Sequence, residues 1–263
     1  MRLSGELDKH KVRQSFSGAA ETYDSVASLQ RNVGLALIKQ AGAESFSGTV
    51  LDLGCGTGFI SSQIISSNDI NQMILLDIAL PMLQISQQKL VHHKALYVCA
   101  DAEQLPLASS SVDHVISNVA LQWCQNLDLV FSDIKRILKS GGQFSFAIFG
   151  SGTLQELKQA WACVDHYQHV NEFYSQGQLE GFLAQAGFNQ IQTTNECHVA
   201  NYASAMDLMR ELKQLGAHNV LSGRNKQLTT KTQLQTMLSA YESQFVEGSV
   251  PATFDVIIVK AFA

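Results

Sequence analysis

The stretch VLDLGCGTGF, Val50 to Phe59, constrains the fold of this chain more than any other. Val50-Leu51-Asp52-Leu53 is a short, mostly apolar run that reads as a buried strand. It breaks into Gly54-Cys55-Gly56-Thr57-Gly58, and an apolar segment able to form a helix begins at Phe59. Glycines here supply positive φ in a tight turn and leave no Cβ where the backbone meets a ligand. A glycine turn that opens a helix aims free N–H groups and a partial positive charge at whatever binds there.

From this turn onward strands and helices alternate. Strand Met73–Leu76 ends in Asp77, and a helix starts near Pro81, a residue suited to a first helical turn. Strand Leu96–Cys99 leads into Ala100-Asp101, and a strand around His114–Ser117 ends in Asn118. The pattern predicts a helix over Leu127–Leu138, basic in its last turn and stopped by Gly141-Gly142, then strand Gln143–Phe149. Such alternation implies a parallel sheet with helices on both faces.

The flanks are less regular. The first forty residues read as helical, with Tyr23, Val26, Gln30, Val33, Leu37 and Ile38 near one face, and such a helix could cover a ligand cleft. Beyond the fifth strand the periodicity predicts helices over Thr153–His169, Gln178–Ala186, Ser204–Leu215 and Lys231–Phe245. It also predicts strands over Gln190–His198 and Thr253–Phe262. We therefore expect one domain over 1–263, with a helical cover at 1–45, a binding core at 50–150 and helical insertions at 151–176 and 201–248.

The 263 residues are 46% hydrophobic and 16% charged, a globular balance. A net charge of -5 speaks against a general nucleic-acid surface. MRLSGELDKHKVRQSF lacks the apolar core of a signal peptide, and no stretch has the roughly 18 apolar residues of a membrane span. Cys55, Cys99, Cys124, Cys163 and Cys197 are scattered, which reads as reduced, mostly buried thiols in a cytoplasmic protein. His166 and His169, beside Asp165, read as a solvated helix face, so no metal site is expected.

Two cofactor classes use a glycine turn after a first strand. A dinucleotide fold wants G-x-G-x-x-G, but Phe59 stands where its third glycine belongs. The pattern D-x-G-x-G-x-G, Asp52 to Gly58, instead resembles motif I of the class I S-adenosylmethionine-dependent methyltransferases. Asp77 lies about 20 residues past the glycines, where a carboxylate can accept from both ribose hydroxyls. Asp101 can accept from an adenine amino group, with the Ala102 N–H facing the ring, and Asn118 ends the fourth strand near where the sulfonium must sit. The resemblance covers Val50 to about Phe149. It implies a Rossmann-like α/β sheet, mostly parallel with an antiparallel last strand, under a helical cap. It further implies a site for S-adenosylmethionine, and for its product S-adenosylhomocysteine, made of Asp52, Gly54, Cys55, Gly56, Gly58, Asp77, Ile78, Met82, Asp101, Ala102 and Asn118.

The glycine motif does not name the acceptor. The segments Phe16–Asp24, Asn118–Cys124, Phe149–Trp161, His169–Phe173, Leu208–Asn219 and Val250–Ile257 are similar to those of the BioC family, nearly end to end. That family comprises malonyl-acyl-carrier-protein O-methyltransferases of biotin synthesis, which convert the free carboxylate of a malonyl thioester to its methyl ester. The resemblance implies an acyl carrier protein as partner, with neither nucleic acid nor membrane. A carboxylate is ionised at neutral pH and needs no general base, only alignment and exclusion of water. Tyr23 is the candidate to orient the carboxylate or to close over the methionine end, and Trp123 is a candidate pocket wall. From Ser204 to Lys231 the basic residues Arg210, Lys213, Arg224, Lys226 and Lys231 outnumber Asp207 and Glu211. Arg210, Lys213 and Arg224 are thus candidates to meet the substrate carboxylate or an acidic carrier. Three alternatives stay open: another small acceptor such as a quinone-type carbon or a free acid, a cofactor-binding regulator without chemistry, and a nicotinamide oxidoreductase.

Overall fold

The computed structural model describes residues 7–42, 46–66, 69–217, 229–245 and 250–263. Its strands are β1 (Gly48–Leu53), β2 (Ile70–Asp77), β3 (Ala95–Cys99), β4 (Val112–Asn118), β5 (Leu138–Phe149), β6 (Asn189–Tyr202) and β7 (Val250–Phe262). They form one seven-stranded sheet in the order β3-β2-β1-β4-β5-β7-β6. β1 to β5 pair in parallel, and β7 runs antiparallel between β5 and β6. β1 is followed outward by β2 and β3, and the chain then returns to lay β4 on the other side of β1. The carboxyl ends of β1 and β4 therefore flank the switch point, where open sheets of this kind form a crevice.

The helices are α1 (Lys9–Val26), α2 (Ser28–Ala41), α3 (Phe59–Ile64), α4 (Leu80–Lys89), α5 (Leu127–Ile137), α6 (Gln155–Ala162), α7 (Gln176–Gln185), α8 (Ala205–Gln214) and α9 (Lys231–Glu242). One face of the sheet packs on α5 and α7 through Phe131, Phe144, Phe146, Leu179 and Leu183. The other packs on α2 and α3 through Val33, Leu37, Ile60 and Ile64. Burial on both faces explains the near-continuous apolar runs of the central strands. A third cluster joins α6, α8 and α9 to the first half of β7 through Trp161, Leu208, Tyr241 and Phe254.

Three expectations need correction. The N-terminal segment is two helices, because Ala27 leaves helical geometry at φ -82 and ψ 36. Gly141-Gly142 do not stop α5, which ends when Leu138 turns extended and joins β5. The glycines instead occupy a register shift between β4 and β5, where a Cβ on Gly142 would sit 2.9 Å from the carbonyl oxygens of Asp113 and Lys139. α6 stops at Ala162 rather than reaching His169. The His169 ring folds back onto Trp161, with centroids 3.7 Å apart, and its Nε2 lies 2.8 Å from Asp165. Stacking on Trp161 of α6 and the contact with Asp165, just past that helix, replace a further turn of helix.

Candidate functional site

The turn after β1 is built from positive-φ glycines: Gly54 at 71°, Gly56 at 54° and Gly58 at 82°. Each serves a different need. A Cβ on Gly54 would lie 2.3 Å from that of Ala120, so this glycine lets the β1 and β4 loops touch. A Cβ on Gly58 would lie 2.8 Å from that of Ser86, so that one packs α3 against α4. Around Gly56 there is open space, because it faces a cleft.

That cleft, together with the solvent at its mouth, spans about 680 Å³ of empty space. Its floor is Gly54, Gly56, Asp77, Ile78, Asp101, Ala102 and Asn118, all at or just past the carboxyl ends of β1 to β4, with Met82 of α4 beside them. Trp123 and Cys124, from the loop after β4, form a side wall. α1 supplies the roof through Lys9, Val12, Phe16 and Tyr23. The Phe16 ring meets Trp123 edge to face at 5.3 Å. Past Tyr23, Gly54, Gly56 and Asn118 a second cavity of about 420 Å³ continues between α2 and α3. It takes in Arg31, Gln30, Asp52, Cys55 and Thr57, with Tyr23 standing between the two spaces.

Asp77 is 8% exposed. Its Oδ2 accepts from the Gly56 N–H at 2.9 Å and its Oδ1 from the Ala79 N–H at 2.8 Å. These bonds fix the carboxylate against burial, which pushes its pKa up. Each oxygen keeps acceptor capacity for one more donor, so the pair can receive a vicinal diol. Asp101 Oδ1 accepts from the Glu103 N–H at 3.0 Å and from Lys9 Nζ at 3.0 Å. The Asn118 amide donates to the Gln30 carbonyl at 2.9 Å, while its Oδ1 is buried without a partner, as is Gln30 Oε1. Unpaired buried acceptors beside a glycine cradle mark space for a ligand that donates hydrogen bonds. Burial raises the Tyr23 phenol above its usual range, and the charge of Asp77 pushes the same way, so it stays protonated.

The predicted residues do not all meet at the cleft. Asp52 is buried, and its Oδ2 accepts from Ser61 Oγ at 2.6 Å and Ser61 N–H at 3.2 Å, which ties β1 to α3. Burial, against these bonds, pushes its pKa up to about 7. Asp52 and Cys55 line the second cavity only, and Gly58 lines neither. Arg210 and Lys213 lie on the outer side of α8, whose buried face is Ala205 and Leu208. Arg210 is 67% exposed in its side chain and pairs with Asp207 at 2.7 Å. The structure thus does not bring them to the cleft, although α8 packs on α1 beside it: Thr22 Oγ1 donates to the Gln214 carbonyl at 3.1 Å. Arg224 falls outside the described residues. Among those described, no cluster of three His, Cys, Asp or Glu could hold a metal, and no helix is long and apolar enough to cross a membrane.

The residue-level reading missed Lys9, Val12 and Phe16, although they recur at helical spacing with Tyr23. It also missed Arg31 and Thr57, whose hydroxyl donates to Asp24 at 2.7 Å. No local pattern sets those polar residues apart from solvated ones.

Residues 51–146 match the family model described as "Methyltransferase domain". The chain is 37% identical, over 97% of its length and 91% of the relative's, to a malonyl-[acyl-carrier protein] O-methyltransferase of Gallionella capsiferriformans. It belongs to that family. It is also 40% identical to the biotin biosynthesis bifunctional protein BioHC of Cellvibrio japonicus, over 97% of this chain and 50% of that one, so it spans about half the length of that relative. Among solved structures, the phosphoethanolamine N-methyltransferase 2 of Haemonchus contortus in complex with S-adenosyl-L-methionine superposes with a TM-score of 0.58. The identity there is 20%, over 94% of this chain and 57% of that one. The fold is thus that of the class I S-adenosylmethionine-dependent methyltransferases. The residues present fit S-adenosylmethionine: a glycine cradle open to the cleft, a strand-end carboxylate with spare acceptor capacity, and an unpaired amide oxygen.

Proposed function

We propose that this chain transfers a methyl group from S-adenosylmethionine to the free carboxylate of a malonyl thioester carried by acyl carrier protein. The product would be the malonyl methyl ester that starts biotin synthesis. The observation that carries this reading is the convergence of Asp77, Asp101 and Asn118 with the glycine turn on one roofed cleft, in a chain whose relatives bear that activity by name. Bound there, S-adenosylmethionine supplies a methyl group on an electrophilic sulfonium. Asp77 would accept from its ribose hydroxyls, and the Gly54–Gly56 turn would hold its methionine portion. Asp101 and the Ala102 N–H would hold the adenine. Asn118, where β4 ends, would offer its unpaired Oδ1 as a further acceptor.

Because a carboxylate is the nucleophile, the chain has no proton to remove at pH 7. Its task is alignment and exclusion of water. Tyr23, protonated and between the two cavities, donates to the acceptor carboxylate and closes the methionine end. Phe16, Trp123 and Leu121 make a dry wall. α1 and α2 act as a cover, and the helices after β5 act as a cap that receives the carrier. Arg210 and Lys213, exposed on α8 beside the cover, suit the acidic surface of a carrier protein rather than the buried carboxylate. The five cysteines are free, although only Cys55 and Cys124 are buried as expected and Cys99, Cys163 and Cys197 are exposed; free thiols agree with a cytoplasmic setting. Incubation with malonyl-acyl carrier protein and methyl-labelled cofactor tests the reading. Label should appear on the carrier and be released by mild base; an unlabelled carrier would refute it.

A further inference from the structure

We propose that Lys9, delivered by the covering helix α1, is a positioning residue for recognition of the cofactor's adenine, acting through Asp101. The inference rests on the proposed cofactor reading and deepens it. Lys9 stands in the first turn of α1, and its side chain reaches down to the cleft floor. Its Nζ lies 3.0 Å from Asp101 Oδ1 and 3.0 Å from Glu103 Oε1. The Glu103 N–H donates to the same Asp101 Oδ1 at 3.0 Å. Oδ1 is therefore engaged twice, while Oδ2 accepts from none of the described residues. A carboxylate held by one oxygen from two directions loses its rotational freedom about χ2, and its other oxygen is set as an acceptor.

The charge balance says what such an acceptor can take. One ammonium between two carboxylates leaves the trio with a net negative charge. It cannot serve as the cation that neutralises an anionic methyl acceptor. It can receive a neutral N–H donor, and the exocyclic amine of adenine is one. The network also extends into the cover: Glu103 Oε1 accepts from the Gln125 N–H, and Gln125 Oε1 accepts from the Leu7 N–H. Glu103 is thus shared between the contacts that set Asp101 and those that lead to the beginning of α1. Burial disfavours the charge on Lys9, but Cys124, Asp101 and Glu103 beside it together outweigh burial and favour the ammonium.

A 6-oxo purine puts an acceptor where adenine has a donor, so the two should be told apart only while Asp101 is held. The test is calorimetric titration of the wild type, Lys9→Met, Lys9→Gln and Lys9→Arg with S-adenosylhomocysteine and with S-inosylhomocysteine. The wild type should prefer the adenine form by on the order of 10- to 100-fold, the usual range for a hydrogen bond to a charged group. Lys9→Met should lose most of that preference by weakening the adenine form alone, Lys9→Gln should fall between, and Lys9→Arg should restore it. If Lys9→Met weakens both ligands by the same factor, Lys9 merely holds the cover and the proposal fails while the cofactor reading stands. If the wild type shows no preference, the Asp101–adenine assignment falls and takes the proposal with it. If the wild type binds neither ligand, the cofactor reading itself is refuted.

Discussion

Replacing Asp77 with Ala separates binding from architecture. In the structure the carboxylate already holds the N–H groups of Gly56 and Ala79. In the proposed complex it also accepts from two ribose hydroxyls. Hydrogen bonds to a charged group contribute about 1.5–3 kcal/mol each. Taking the lower end, because burial already disfavours this charge, two of them contribute about 3–4 kcal/mol. At about 1.4 kcal/mol per decade, the dissociation constant for S-adenosylhomocysteine should rise on the order of 200- to 1,000-fold. The same substitution strands two backbone donors, at about 1–3 kcal/mol each, partly offset by relief from burying the carboxyl. The variant should therefore melt earlier, and titrations belong well below its midpoint. Asp113→Ala is the control. It removes an acceptor for the Thr49 N–H at 2.8 Å and the partner of Lys139 at 2.7 Å, at the opposite end of β1. It should lower the melting temperature and leave affinity untouched. A folded Asp77→Ala protein binding within about threefold of wild type would refute the reasoning, since it allows less than about 0.7 kcal/mol for both bonds.

Gly58→Ala should destabilise through its 82° φ and the 2.8 Å approach to Ser86, by about 1–3 kcal/mol. Cofactor affinity should change less than stability; a large affinity loss with an unchanged melting temperature would put Gly58 on the ligand after all. Asp52, its pKa raised by burial to about 7, binds a proton in the folded state that the unfolded chain releases near pH 4. Its contribution to stability is full below about pH 4 and is lost as pH rises through about 7. Asp52→Asn should flatten that part of the urea-midpoint profile, and parallel profiles would refute the assignment. Charge reversal at Arg210 and Lys213 should raise KM for carrier-bound substrate about tenfold at low salt, and much less for malonyl-CoA. Equal effects on the two would argue against a docking face.

The parallel core was legible because β1, β2 and β4 are buried on both faces and end in the side chains that line the cleft. Position at or just past the strand ends, read together with the glycine motif, marked Asp77, Asp101 and Asn118 as candidates, and all three line the cleft. The roof was only half legible. Tyr23 was found, but Lys9 looks like any polar residue at a helix start until β3 and β4 bring Asp101 and Glu103 beneath it. Periodicity placed α8, yet it could not say which way Arg210 points; burial of Leu208 against α9 and β7 turns it outward. The overextended α6 has the same origin. Nothing local in Val164–His169 opposes a helix, and the contact that ends it, His169 on Trp161, exists only in the folded chain.

Intact-mass spectrometry of malonyl-acyl carrier protein after incubation with this chain and S-adenosylmethionine tests the central claim most directly, with acetyl-acyl carrier protein alongside. The account predicts one added methyl on the malonyl form, removed by mild base, and none on the acetyl form, which has no free carboxylate. An unmodified malonyl carrier, or equal methylation of both, would contradict it.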